Sequence, residues 1–232
     1  MGTLLFWLAG AAAAGPIADG AAAFDAGRLD EAIAAWHGEE GATLSGVAQY
    51  DLGVAYYRKG DLPRAVAHFR GAARLRPRDP WVHHNLALAR AGLTNLPDPV
   101  GGDGWGRVAT PGELGLLGVF VTAIGSFLML FSRVRPAGTA VWLVGLGTGG
   151  LAAAGARWDA HHPVAVVVDA EAVLRDAATV SGGERLRLPP GAEVRVQQAY
   201  DDFLLVEDAR ARRGWVPRNA VALAWDGAIG AR

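Results

Sequence analysis

The chain has 232 residues, a formal net charge of -1 and no cysteine. The near-neutral balance, with no polybasic patch, removes the electrostatic case for nucleic acid. The missing cysteine excludes disulfides, a thiolate nucleophile and a Cys-ligated metal, and the length suits two small domains better than one large one.

Residues 1–15 open with an apolar segment, Leu4 to Ala14, and small residues at Ala12 and Ala14. They read as a cleaved signal peptide or an N-terminal anchor, both of which carry the downstream chain out of the cytoplasm. From Ile17 to Leu93 the sequence repeats itself at an offset of 33, pairing Gly20 with Gly53, Gly27 with Gly60, Leu29 with Leu62, Ala32 with Ala65 and Trp36 with Phe69. Repetition at this period is the mark of stacked helical hairpins. Gly53 and Ala65 let two helices approach, Tyr56 and Phe69 fill the space around the contact, Gly60 suits a left-handed helix end, and Asp61 caps the next helix. Asp79-Pro80 opens a further helix that Gly92 closes.

Residues 16–96 thus resemble the tetratricopeptide repeat, with Leu52, Gly53, Tyr56, Gly60, Ala65, Phe69, Ala72 and Pro77 at the family's positions. The first copy departs at Asp19, Ala23 and Glu39, and its second helix is expected to fray near Gly38 to Gly41. The third has only its first helix, Trp81 to Ala91, as a cap. The resemblance implies a concave face for peptide contact at Phe24, Tyr50, Tyr57, Arg58, His84 and Asn85, whose aromatics serve equally well as packing.

Residues 97–112 form a Gly/Pro linker in which Trp105 suits a membrane interface; Gly101 to Gly104 is no phosphate loop, because it follows no strand and lacks the Lys-Ser/Thr ending. Residues 113–157 hold two uncharged runs, Leu114 to Phe131 and Ala137 to Ala156. At a rise of ~1.5 Å per residue each can cross a hydrocarbon layer of about 30 Å. The short loop between them carries Arg133 and Arg135 and no acid, the pattern that is retained in the cytoplasm. Both flanking segments are then extracytoplasmic. Gly145 and Gly149, with Gly150 and Ala154 repeating the spacing, form a small-residue face that packs the hairpin's own helices or another protein's. With no ionisable side chain inside either run, a transport path is not expected.

Residues 158–225 switch to short alternating runs at Val164 to Val168, Val173 to Arg175, Glu184 to Leu188, Glu193 to Gln197, Phe203 to Glu207 and Trp215 to Pro217, before a tail at 226–232. Such spacing suggests a small β-barrel. The Leu188-x-x-Gly191-x-x-Val194-x-Val196 strand with a later Gly214-Trp215-Val216 resembles the bacterial SH3 domain. That resemblance implies a groove at Tyr200, Phe203 and Trp215, although Trp215 fits a core position equally well. His161 and His162 beside Asp159 lack a remote ligand set, so no metal site and no cofactor is expected.

The fold class is therefore multidomain α + β: helical tetratricopeptide repeat hairpins, a two-helix transmembrane hairpin and a small C-terminal SH3-like β-barrel. No nucleophile, base or paired carboxylates stand out, so an enzyme is not expected. The order of modules resembles the BatE-like branch of the Bat aerotolerance proteins. It implies an inner-membrane scaffold or adaptor that presents two binding modules outside the cytoplasm, beside von Willebrand A-domain membrane proteins and a MoxR-type ATPase. The other reading is a peptidoglycan-associated module that recruits cell-wall enzymes through its repeats.

Overall fold

A computed structural model describes residues 15–37, 45–100, 109–131, 135–170 and 172–224. The signal or anchor segment, the Gly38 to Gly41 fraying site, Gly101 to Gly104, Trp105, Arg133 and the C-terminal tail lie outside the described residues.

Among the described residues the repeat region holds the helices α1 (Pro16–Asp25), α2 (Leu29–His37), α3 (Gly46–Lys59), α4 (Leu62–Leu75) and α5 (Pro80–Ala91). The expected glycines and caps set their limits. Gly27 and Gly60 take left-handed φ values of 76° and 82°, a conformation that costs glycine little. Ser45, Asp61 and Asp79 each accept a backbone N–H of the helix they precede, which satisfies an otherwise orphaned donor. The 33-residue repeat is visible as packing. A β-carbon on Gly20 would lie 2.3 Å from Nε1 of Trp36, and one on Gly53 would lie 2.6 Å from the Phe69 ring. In each copy a first-helix glycine leaves room for a second-helix ring.

Two helices long and apolar enough to span a membrane come next, α6 (Pro111–Leu128) and α7 (Arg135–His161). α6 begins three residues before the apolar run because Thr110 and Glu113 form a capping box, each side chain bonding the other's backbone N–H. Gly118 stands against the backbone of Gly145 and Gly149, and Gly125 against that of Trp142 and Gly138, so the helices run antiparallel in close contact. The buried positions Gly118 and Gly125, and Gly138, Gly145 and Ala152, recur every seven residues, the period that keeps one seam facing its partner. Part of the small-residue face thus packs the hairpin against itself, whereas Gly150 meets nothing within 4 Å. Large apolar side chains such as Leu116, Phe120 and Leu151 point outward. α7 continues to His161 and delivers the chain to the sheet.

The C-terminal region is a seven-stranded antiparallel sheet of β1 (Val164–Val167), β2 (Val173–Arg175), β3 (Glu184–Arg187), β4 (Glu193–Tyr200), β5 (Phe203–Glu207), β6 (Arg213–Pro217) and β7 (Val221–Leu223), in the order β3-β2-β6-β5-β4-β1-β7. The expected runs are strands within a few residues. The expected barrel is not shown closed, because β3 and β7 are edges and do not pair with each other. Both are short, and β3 exposes Glu184, Arg185 and Arg187, a composition that keeps an edge solvated. The sheet nevertheless curls around one core, in which Ala165, Leu174, Val194, Leu204, Val206 and Val216 meet.

β1 joins this core to the repeats. All four of its residues are buried. Ala165 and Val167 enter the sheet's own core, while Val166 packs with Val66, Phe69, Ala73 and Val82 of the helices. A strand buried on both faces reads as a continuous apolar run, as Val164 to Val168 does.

Candidate functional site

The first helices of the two hairpins leave a groove of about 240 Å³ between them, lined by Ala21, Phe24 and Asp25 of α1, Trp36 of α2, and Tyr50, Asp51 and Val54 of α3. Its wall is aromatic. The Phe24 and Trp36 rings are 5.8 Å apart and tilted, and the Arg58 guanidinium lies over the Phe24 ring, 4.2 Å from its centroid, a distance at which a cation is drawn to a ring face. Burial pushes the Asp51 carboxyl above its ordinary pKa, against the opposing pull of Arg76. A half-buried carboxylate of this kind favours a cation brought beside it.

Of the six positions expected on the concave face, Phe24 and Tyr50 line the groove and Arg58 borders it. Asn85 donates to the Tyr50 hydroxyl at 2.7 Å, and the Tyr50 ring packs on Phe69 at 5.8 Å. That pair therefore ties α5 to α3 as well as shaping the groove rim. Tyr57 and His84 are exposed. Sequence reasoning missed Trp36 and Asp51 as lining residues. The offset of 33 had placed Trp36 opposite Phe69 as packing, whereas its ring does both jobs.

A TPR repeat family model matches residues 53–93. No curated protein and no solved structure matches the chain. The TPR match covers α4, α5 and the second half of α3, where the repeat positions are most complete, and it suggests a protein-interaction module.

The three aromatic positions expected on the sheet share its outer face. β4 pairs Val196 with Val206 and then Gln198 with Leu205, so one residue is bulged out. The bulge flips the remainder of the strand by one register step. Ala199 turns to the core while Tyr200 turns outward beside Phe203, its cross-strand neighbour. Leu205 pairs with Trp215 and Phe203 with Pro217, and the Tyr200 and Trp215 rings meet edge to face at 6.3 Å. Trp215 is half-buried and lies outside the sheet's core cluster. The β5–β6 turn below them is fixed by Asp208. Burial pushes its carboxyl up, but bonds from the Arg212 side chain and from the Arg212 and Arg210 N–H groups outweigh that and hold it below the ordinary value. The arginines at 210–213 are thus partly spent on the turn, with Arg213 paired to Glu207 at 2.6 Å.

The helical and sheet regions are locked by Glu193, which stands on the outer face of β4 yet is 1% exposed. One oxygen takes Arg90 of α5, and the other takes Arg70 of α4 at 2.9 Å. The same arginines donate to the carbonyls of Pro97 and Val100 at 3.2 and 3.3 Å, so the start of the expected linker is bound into the interface. Leu93 and Leu96 pack against Gly191. Nothing in the period of β4 marks Glu193 as buried, because its partners come from other elements.

Of the two topology residues, Arg135 opens α7 and donates from Nε to the Met129 carbonyl at 3.2 Å. His161 and His162 each bond the helix carbonyl four residues back. Among the described residues no group of three or more potential metal ligands stands together.

Proposed function

We propose that the chain is an inner-membrane adaptor, without catalytic activity of its own, whose TPR groove gathers other envelope proteins on the extracytoplasmic side. The observation that carries the reading is the TPR match over residues 53–93 beside an open groove walled by Phe24, Trp36 and Tyr50. Aromatic walls with Asp25 and Asp51 alongside favour a peptide that offers an apolar side chain next to a cation. The Glu193 clasp between Arg70 and Arg90 supports the topology, because a buried contact between the repeats and the sheet requires both on one side of the bilayer, as an even number of crossings provides. The arginine loop then directs that side outward. The sheet is read as an SH3-like module, supported by its single curled core and the outward strip of Tyr200, Phe203 and Trp215. In the Bat-type arrangement that the order of modules resembles, the partners are von Willebrand A-domain membrane proteins and a MoxR-type ATPase in an envelope-stress or aerotolerance complex.

Alkaline phosphatase fusions test the topology: activity is expected after Asp98 and after Ala224, and none after Val134. Photo-crosslinking from position 24 or 50 in cells tests the groove. A specific membrane-protein adduct that disappears in Asp51→Arg supports the adaptor, and labelling no different from that at exposed Val180 overturns it. The aromatic strip also favours a second reading, in which the sheet grips peptidoglycan. Retention of the full chain on purified sacculi, lost in Tyr200→Ala/Trp215→Ala, is its expected sign.

A further inference from the structure

The corner between α4 and α5, Leu75 to Trp81, carries two large apolar side chains that stay exposed among the described residues: Trp81 is 68% exposed and Leu75 is 44% exposed. The same corner is fastened to the foot of α6. Arg78 forms a two-pronged pair with Glu113 in the first turn of α6, at 2.6 Å to each oxygen. Asp159 near the end of α7 takes Arg195 of the sheet at 3.8 Å. Because α7 packs antiparallel on α6, its end lies beside that foot, and both helices leave their apolar stretch near this corner. Trp158 lies about 35 Å along α7 from Arg135 at the rise of an α-helix, just past a hydrocarbon layer of about 30 Å. It is itself 56% exposed.

We infer that the α4–α5 corner is a second membrane contact, in which Trp81 and Leu75 sit among the lipid headgroups and hold the joined repeat-and-sheet unit down on the bilayer surface. Indole rings are favoured at that depth, where an apolar body and a polar N–H are both accommodated. The headgroup chemistry is anionic, because residues 74–81 carry three arginines, Arg74, Arg76 and Arg78, against the pairing acids Asp79 and Glu113, and basic residues close to a membrane attract acidic lipid. The consequence for function is orientation, since a unit fixed at three points does not swing on its hairpin. This inference rests on the membrane reading proposed for α6 and α7.

The absence of cysteine makes the test direct. Single variants Trp81→Cys, Leu75→Cys, Phe120→Cys and Arg187→Cys of the full chain are spin-labelled and reconstituted in vesicles of phosphatidylethanolamine and phosphatidylglycerol. Collision with membrane-dissolved oxygen is compared with collision with a water-soluble nickel chelate. Labels at 81 and 75 are expected to lose most of the chelate collisions seen at 187 and to gain oxygen collisions, approaching the label at 120. If 81 and 75 match 187 while 120 is protected, the corner contact is overturned and the membrane reading stands. If 120 also matches 187, the membrane reading falls and the corner contact with it. Replacing phosphatidylglycerol by phosphatidylcholine is expected to raise chelate collisions at 81 and 75 and leave 120 unchanged; no change at 81 and 75 overturns the anionic preference.

Discussion

The two helical hairpins make the same internal contact and differ in everything that covers them. In α1–α2 the glycine of the first helix receives Trp36, and in α3–α4 it receives Phe69. The second hairpin is then enclosed by α5 on one side and by β1 on the other, so Phe69 and Val66 are fully buried. The first has no such second layer among the described residues, and the face it shares with α3 remains open as the groove. An internal repeat fixes how a hairpin closes on itself. What lies outside the hairpin decides whether its surface becomes core or stays an open groove.

This contrast is breakable at several points, in descending order of expected effect. Glu193→Ala leaves the buried Arg70 and the partly buried Arg90 without their carboxylate and is expected to cost about 3–5 kcal/mol. Amide exchange should show the loss in α4, α5 and β4, with the groove helix α1 spared. Replacing Glu193, Arg70 and Arg90 together by Leu and Met should recover most of it, which separates the cost of an orphaned charge from the worth of the pair. Gly53→Ala drives a methyl into the Phe69 ring and is expected to destabilise the second hairpin by about 1–3 kcal/mol. The matching Gly20→Ala should be milder, because α1 has open space on its far side into which it can shift. Thermal melts of the two variants in detergent measure that asymmetry.

The junction of the hairpins is expected to respond to pH through His68. His68 of α4 bonds Gln49 at 2.9 Å and stacks on Tyr56 with His37 beyond. Burial, with smaller contributions from His37 and Arg64 against the opposite effect of Asp61, lowers its pKa to about 3. The unfolded chain takes up this proton below the ordinary imidazole value while the folded chain does not. The stability His68 confers is therefore complete above about pH 6.5 and is lost as pH falls towards 3, amounting to about 2 kcal/mol by pH 5. His68→Gln should flatten the acid limb of a denaturation-versus-pH curve over that window. The smallest effect is expected at Tyr50→Phe, which removes the acceptor for Asn85 and should cost about 0.5–1.5 kcal/mol. Peptide binding should survive it, whereas Trp36→Ala should abolish binding and destabilise the first hairpin.

Much of this was legible in the residue order. Glycine at 27 and 60, aspartate at 61 and 79 and the 33-residue offset predict the helices and their ends. Alternation predicts the strands, and unbroken apolar runs predict the hairpin. The start of α6 was missed although Thr110-Pro-Gly-Glu113 spells a capping box. The end of α7 was missed because Arg157 and Asp159 look like a boundary when the helix passes through them. Of the seven residues that line the groove, only Phe24 and Tyr50 stand among the positions expected on that face; Trp36 was hidden by its part in the repeat.

The sequence by itself determined the local elements and the close approach of paired helices, since these depend on neighbours within one or two turns or one repeat period. Tertiary structure alone decided that the sheet stays open between β3 and β7, that a bulge turns Tyr200 to the surface, and that Glu193 is buried between two arginines. Each of these depends on a surface supplied by a distant part of the chain. A carboxylate on the outer face of a strand has the same sequence signature whether water or two guanidinium groups lie above it.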